Sequence, residues 1–347
     1  KLARTRVASL ALAALVATGL APVSGPAAAD AAAMTVTTVR VGPFVLPPAS
    51  TPTLPVVNQF TPDVPKPCDD CYITAIEPRL VYADGTRADM STGVMLHHLL
   101  ITEPGQTDVT CGRTDGLGTY GRRIFASGDE RTAYRLPAGF GFQIAPGPWI
   151  ALMDLMNSST DSRVVYFEAV VHHVPASTAG MKPVTPVWLD MDNCKSSRYS
   201  VPPGPSATPW SWTSTLTGRI VAASGHVHAG GVGLTLDDAT TNQRICSSAA
   251  GYGSGAMEGM VTSMSMCSWD SLGALRAGDK LTMTSLYHPH DPMHDVMGIM
   301  LIAVYETDDI NGGTKAPAWM RKTPSTRVPN SAHGDHGHDD GGGVPGH

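Results

Sequence analysis

Few residues carry charge: Asp, Glu, Lys and Arg make up 16% of the 347 residues, and the formal net charge is −6. No basic run follows residue 29, which argues against a nucleic-acid partner, since phosphates call for clustered Lys and Arg. Beyond the same point no stretch approaches the roughly 18 unbroken apolar residues of a membrane span, so no anchor is expected. No window sustains apolar residues at helical spacing for three turns. A Gly-x-Ser-x-Gly elbow is missing, and no Ser-His-Asp arrangement stands out, so a nucleophilic hydrolase has little support. Acids in strand-like segments, such as Glu168 and Asp190, lack a context that marks a glycosidase pair.

What is abundant is glycine (36) and proline (28), a balance that suits an all-β chain with many turns. Residues 1–29 read as an export signal: Lys1, Arg4 and Arg6 precede an Ala/Leu/Val run that ends in Ala27-Ala28-Ala29. A secreted, extracellular location follows from that pattern. Residues 30–67 comprise an alternating strand (Thr35 to Leu46) and a Pro-rich lead-in that completes a first domain over 68–178. Its expected strands are Tyr72–Ile76, Gly93–Thr102, Gly141–Ile144, Trp149–Leu155 and Val164–Val174. After a break at Pro175–Pro183, a second domain over 183–307 has strands at Val187–Asp190, Gly218–Val227, Val232–Leu236, Lys280–Leu286 and Met297–Tyr305, with a Pro/Trp-rich connection at 201–212. Two antiparallel β-sandwiches in tandem follow from this spacing. Residues 308–347 lose periodicity and end in a His/Gly-rich tail expected to be disordered.

The six cysteines form an even set, which in an exported chain reads as three disulfides. Cys246 and Cys267 bracket a Gly-rich stretch and pair locally. Cys71 with Cys111 would tie the strand before a histidine pair to the loop after it, leaving Cys68 for Cys194. Six cysteines permit 15 pairings, so this is a preference. Cys68-x-x-Cys71 also has a redox or zinc reading, but no second CxxC and no thioredoxin-like βαβ pattern accompanies it.

Two histidine signatures stand about 130 residues apart in apolar, strand-like sequence: His97-His98 and His226-x-His228. Strand neighbours point to opposite faces, so the adjacent pair reads either as one core and one surface histidine or, with a bulge, as two ligands of one ion. His226 and His228 share a face, roughly 6.5–7 Å apart at Cα, within reach of one ion; a solvated pair is the other reading. Met297 opens a strongly apolar strand beside a loop with His288, His290 and His294, of which His294 lies nearest and is an alternative to the thioether. Imidazole with thioether suits copper, because nitrogen donors accept both oxidation states and soft sulfur favours Cu(I).

The segments CxxCYITAIEPRL, VMLHHLLI, SGHVHAGGVGLTL, ICSSAAGYGSGAMEGMVTSMSMC and AGDKLTMTSLY…HDVMGIMLIAVYE resemble the stress-up-regulated nodulin family over residues 68–306. That family is in turn similar to the copper type II, ascorbate-dependent monooxygenases, the peptidylglycine and dopamine hydroxylases. The resemblance implies two jelly-roll-like sandwich domains, two copper ions and ascorbate or a similar reductant. His97 and His98 match two of three histidines on the electron-transfer copper. His226, His228 and Met297 match the ligands of the oxygen-binding, catalytic copper. Cys71, Cys111, Cys246 and Cys267 fall where those enzymes form bridges within domains.

Three departures qualify the resemblance. The third histidine of the first site is replaced within WIALMDLMN, where Met156 is the best-placed substitute, Asp154 serves if the register slips by two, and His172-His173 serve only if their strand folds back. Ser224 and Leu301 occupy positions where amidating enzymes anchor a substrate carboxylate with Arg and Tyr. Amidation is therefore rejected, because a carboxylate there would be desolvated and unpaired; the pocket is expected to be apolar. The tail histidines His333, His336, His338 and His347 have no counterpart and read as a solvated tail or loose metal capture. The leading expectation is a secreted copper monooxygenase that hydroxylates a C–H bond of a small apolar substrate. A non-catalytic copper-binding stress protein and a metal-free structural β-sandwich are the competing classes.

Overall fold

The alternation of apolar residues in short runs produces strands throughout. The computed structural model describes residues 34–49, 56–112 and 121–325. The leader, the tail histidines and residues 326–347 lie outside the described residues. Within them the chain is all-β: it builds several antiparallel sheets, with three 3-10 turns of three or four residues.

Residues 35–183 contribute two sheets. The first runs Thr35–Leu46, Arg163–Pro175, Cys71–Val81, Phe140–Gln143 and Lys182–Pro183, the last pair parallel. The second runs Val56–Val64, Trp149–Asn157, Val94–Glu103 and Arg122–Ser127. Val165, Phe167 and Leu80 of the first sheet join Leu96, Ile101 and Trp149 of the second in one core. Residues 185–306 contribute a third sheet, Thr185–Asp190, Gly298–Glu306, Gly218–Val227 and Met266–Leu275, and a fourth around Lys280–Tyr287 and Gly231–Asp238. Val187, Ala223 and Ile302 pack there with Leu236 and Met283.

Strands expected at Thr35–Leu46 and Gly218–Val227 appear with those ends. Two segments expected as connections are strands instead: Val56–Val64 and Ser206–Thr213. Both sit at sheet edges, the position in which Pro62 and Pro209 remove no obligatory ladder hydrogen bond.

A small apolar cluster joins the halves: Trp188, Met297, Ile299 and Leu301 from the third sheet meet Leu100, Ala126 and Tyr134 from the first half. Beside it the buried Arg123 bonds Asp108 through Nε and Nη2, each at 2.9 Å, and lies over the Trp188 ring. Thr110 Oγ1 donates to the Trp188 carbonyl at 2.9 Å. These contacts turn the loop bearing Cys111 towards the second half, which corrects the expected pairing. Cys111 bridges Cys194, and Cys68 bridges its near neighbour Cys71; neither Cys71–Cys111 nor Cys68–Cys194 forms. The local pair Cys246–Cys267 forms as expected. Three disulfides fit an oxidising compartment, and among the described residues no helix is long and apolar enough to cross a membrane.

Candidate metal centre

The strand Val94–Glu103 sends Val94 and Leu96 into the core, and then Leu99 and Ile101. Its two-residue period therefore gains one residue between Leu96 and Leu99. The ladder with Trp149–Asn157 shifts register at the same place, between Leu96 and His98. This β-bulge lets consecutive residues leave on one side. His97 and His98 both stay out of the apolar core, with ring centroids 4.0 Å apart.

Across the seam, Gly218–Val227 turns Ala223 and Val227 towards the second core. Gly225 lies between them, and a Cβ there would stand 2.6 Å from Leu234 Cδ1. Alternation then directs Ser224, His226 and His228 the other way, towards the first half. The two histidine signatures, read from sequence as ligands of separate ions, are thereby brought together. His98 Nε2 lies 2.8 Å from His228 Nε2. Ligand nitrogens of His97, His98 and His228 all fall within 4.8 Å of one another. The His226 ring is 5.4 Å from His228 and 5.7 Å from His98, centroid to centroid.

Two carboxylates stand behind these rings. Asp154 lies directly opposite His98 in the ladder, its Oδ2 3.1 Å from His98 Nδ1. Glu130 Oε1 lies 3.0 Å from His226 Nδ1 and also accepts the Gly128 backbone N–H at 2.8 Å. A carboxylate on Nδ1 fixes the ring and its tautomer, leaving Nε2 as the donor atom. His226 Nε2 is buried and makes no hydrogen bond. Gly128 leaves room for this pair, since a Cβ would meet Glu130 Oε2 at 2.6 Å and His226 Cε1 at 2.8 Å.

Burial, followed by the neighbouring His98, His226 and His97, pushes His228 well below its ordinary pKa, so it stays neutral. Burial works against a charged His226, but the Glu130 carboxylate outweighs it and raises that pKa. Burial likewise opposes ionised Glu130, yet His226 brings it below its usual range. Asp154 is raised, chiefly by burial and despite His97. Neutral imidazoles and carboxylate-backed rings are the donor set of a first-row transition ion.

Tyr287 joins this centre to the next strand. Its fully buried hydroxyl accepts from His228 N at 2.8 Å and donates to Met297 O at 2.6 Å. The backbones of Met297 and His228 are thus tied through one hydroxyl, and the Met297 side chain is buried with Trp188, Ile299 and Leu301. Met156 pairs with Met95; Asp154, two positions along the strand and the alternative expected for a register slip of two, is what faces His98. His172 and His173 lie in the first sheet, against Glu77 and Thr37 respectively, and do not join the cluster. His294 is exposed and bonds Ser200. Ser224 and Leu301 are ladder partners and line a recess with His226, Ile299 and Phe125. Glu130, Tyr287 and Gly128 carry no signal in the sequence that separates them from ordinary residues.

The fold and site define an all-β protein with a histidine-rich candidate metal centre at the seam between its two halves. Residues 172–307 match the family described as stress up-regulated Nod 19, so the resemblance read from the sequence motifs holds over that stretch. Two curated relatives are similar at 29% identity. One, a probable copper-dependent oxygenase of Phoma sp., matches over 237 residues, 65% of this chain and 59% of its own length. The other, a probable copper-dependent oxygenase of Cochliobolus lunatus, matches over 220 residues, 60% of this chain and 68% of its own length.

Proposed function

We propose that this chain is a secreted copper oxygenase that inserts oxygen into a C–H bond of a small apolar substrate, with ascorbate or a similar small reductant supplying electrons. The observation that supports it most is the meeting of both histidine signatures at one place, with carboxylates behind His98 and His226 and an unpartnered Nε2 on His226. Relatives named as copper-dependent oxygenases supply the metal. His97, His98 and His228 would hold one copper, with the His226 ring next to them; the Met297 thioether is a further donor that the family resemblance implies. Copper, when bound, supplies the redox chemistry with O2. The protein's residues fix its surroundings. Glu130 and Asp154 orient rings through Nδ1, Tyr287 holds the His228 and Met297 backbones in register, and Ile299, Leu301 and Phe125 give the adjacent recess an apolar wall. A pair of jelly-roll-like domains, 68–178 (completed by 30–67) and 183–307, is the architecture we assign to the two halves.

A second reading, a non-catalytic copper binder, is favoured by the same convergence: the four histidines used for two ions in the resembling enzymes here surround one place, and among the described residues no second histidine cluster stands apart as an electron store. Copper loading followed by dialysis, then O2 uptake with ascorbate, decides between them. Substrate-coupled O2 consumption lost in His228→Ala supports the oxygenase. Retained copper with no coupled turnover moves the assignment to the binder, and no retained copper removes both.

A further inference from the structure

Next to the histidines the seam holds two recesses that share a wall. One is lined by Glu130, Ser224, His226 and Ile299, the other by Ile73, Ile124, Phe142 and Pro186; Tyr134 and Leu301 line both. Tyr134 brings a polar group into this otherwise apolar partition. Its hydroxyl is sealed from solvent and has no hydrogen-bond partner among the described residues. Burial also keeps it a neutral phenol, far above its usual titration range. An unmatched buried hydroxyl is destabilising, and an acceptor on a guest would remove that cost. In each recess water centres can occupy about 20 Å3, room for about one water. A larger guest would have to push aside the shared wall of Tyr134 and Leu301, which would join the two spaces.

We propose that the joined recesses form a binding site for an apolar molecule bearing a single hydrogen-bond acceptor, such as a ketone or ether. Its oxygen accepts the Tyr134 proton, and its hydrocarbon part lies along Ile124, Phe142 and Leu301. This rests on the oxygenase reading, and places one end of the guest at His226. Tyr134 acts here as a substrate-binding residue that sets orientation and selects oxygenated over plain hydrocarbons.

The test uses copper-free full-length protein with two probes of matched shape, acetophenone and ethylbenzene, followed by calorimetry or ligand-observed NMR. Wild type is expected to prefer the ketone, and Tyr134→Phe to lose that preference by about fivefold while still binding ethylbenzene. Leu301→Phe narrows the shared wall and should weaken both probes, with the melting temperature reporting that the fold is kept. Equal ketone binding by wild type and Tyr134→Phe overturns the proposal, as does binding of neither probe by wild type; either result assigns the hydroxyl to a trapped water. Copper retention, measured separately, reports on the oxygenase reading alone, so the two failures are distinguishable.

Discussion

Glu130→Gln isolates the role of the carboxylate behind His226. The amide keeps the shape of the side chain and an acceptor at Oε1, so it still receives His226 Nδ1–H and the Gly128 N–H, now 3.0 and 2.8 Å away. What disappears is the negative charge that makes the imidazole more basic. Loss of such an outer carboxylate typically lowers metal affinity about 10–100-fold, or ~1.4–2.7 kcal/mol. Competition against a chromophoric Cu(I) chelator in the presence of ascorbate reads this directly, with thermal melting as the control for folding. In the copper-free protein the pair also has a pH signature. His226 is raised, so its share of stability is present below about 6.5 and is lost as pH climbs through the folded value. Glu130 is lowered, so its share is present above its ordinary 4.5 and is lost as pH falls through the folded value. The stabilisation therefore peaks between the two, and Glu130→Gln should flatten the curve. Copper affinity within twofold of wild type, in a folded variant, would show that the Glu130 charge does not strengthen the His226 donor.

Tyr287→Phe removes the hydroxyl shared by His228 N and Met297 O; with a buried N–H left unmatched, urea titration should show a loss of about 1–3 kcal/mol. Replacing Cys111 and Cys194 together by Ala opens a link of sequence separation 83. The chain-entropy relation gives about 4.5 kcal/mol for it, and digestion of unreduced wild type should release a Cys111–Cys194 peptide. His228 lies well below its usual pKa, so acidification below about 6.5 charges it in the unfolded chain first and costs the metal-free protein up to ~1.4 kcal/mol per pH unit. His228→Ala should make that acid limb shallower, and an unchanged slope would contradict the assignment.

Much of the fold was legible because alternation is local: the strand bearing His226 and the first strand emerge with the expected ends. Proline misled at Val56–Val64 and Ser206–Thr213, since sheet-edge placement is a property of the assembled sheet. The same-face geometry of His226 and His228 follows from period two, whereas that of His97 and His98 depends on a bulge fixed by pairing with the strand of Asp154. Asp154 was within view as a register alternative to Met156. Glu130 was not, because it reaches His226 from a turn 96 residues away in sequence. Cystine pairing failed for a similar reason: the path of the loop carrying Cys111 is set by Arg123 and Trp188, not by spacing.

On the proposed reading, histidines from both halves grip a single copper. Copper per chain after dialysis, measured in wild type, His98→Ala and His228→Ala, tests it most directly. One tightly held ion is expected in wild type, lost in either variant, with both variants folded. Two ions in wild type, each lost independently in one variant, would contradict it.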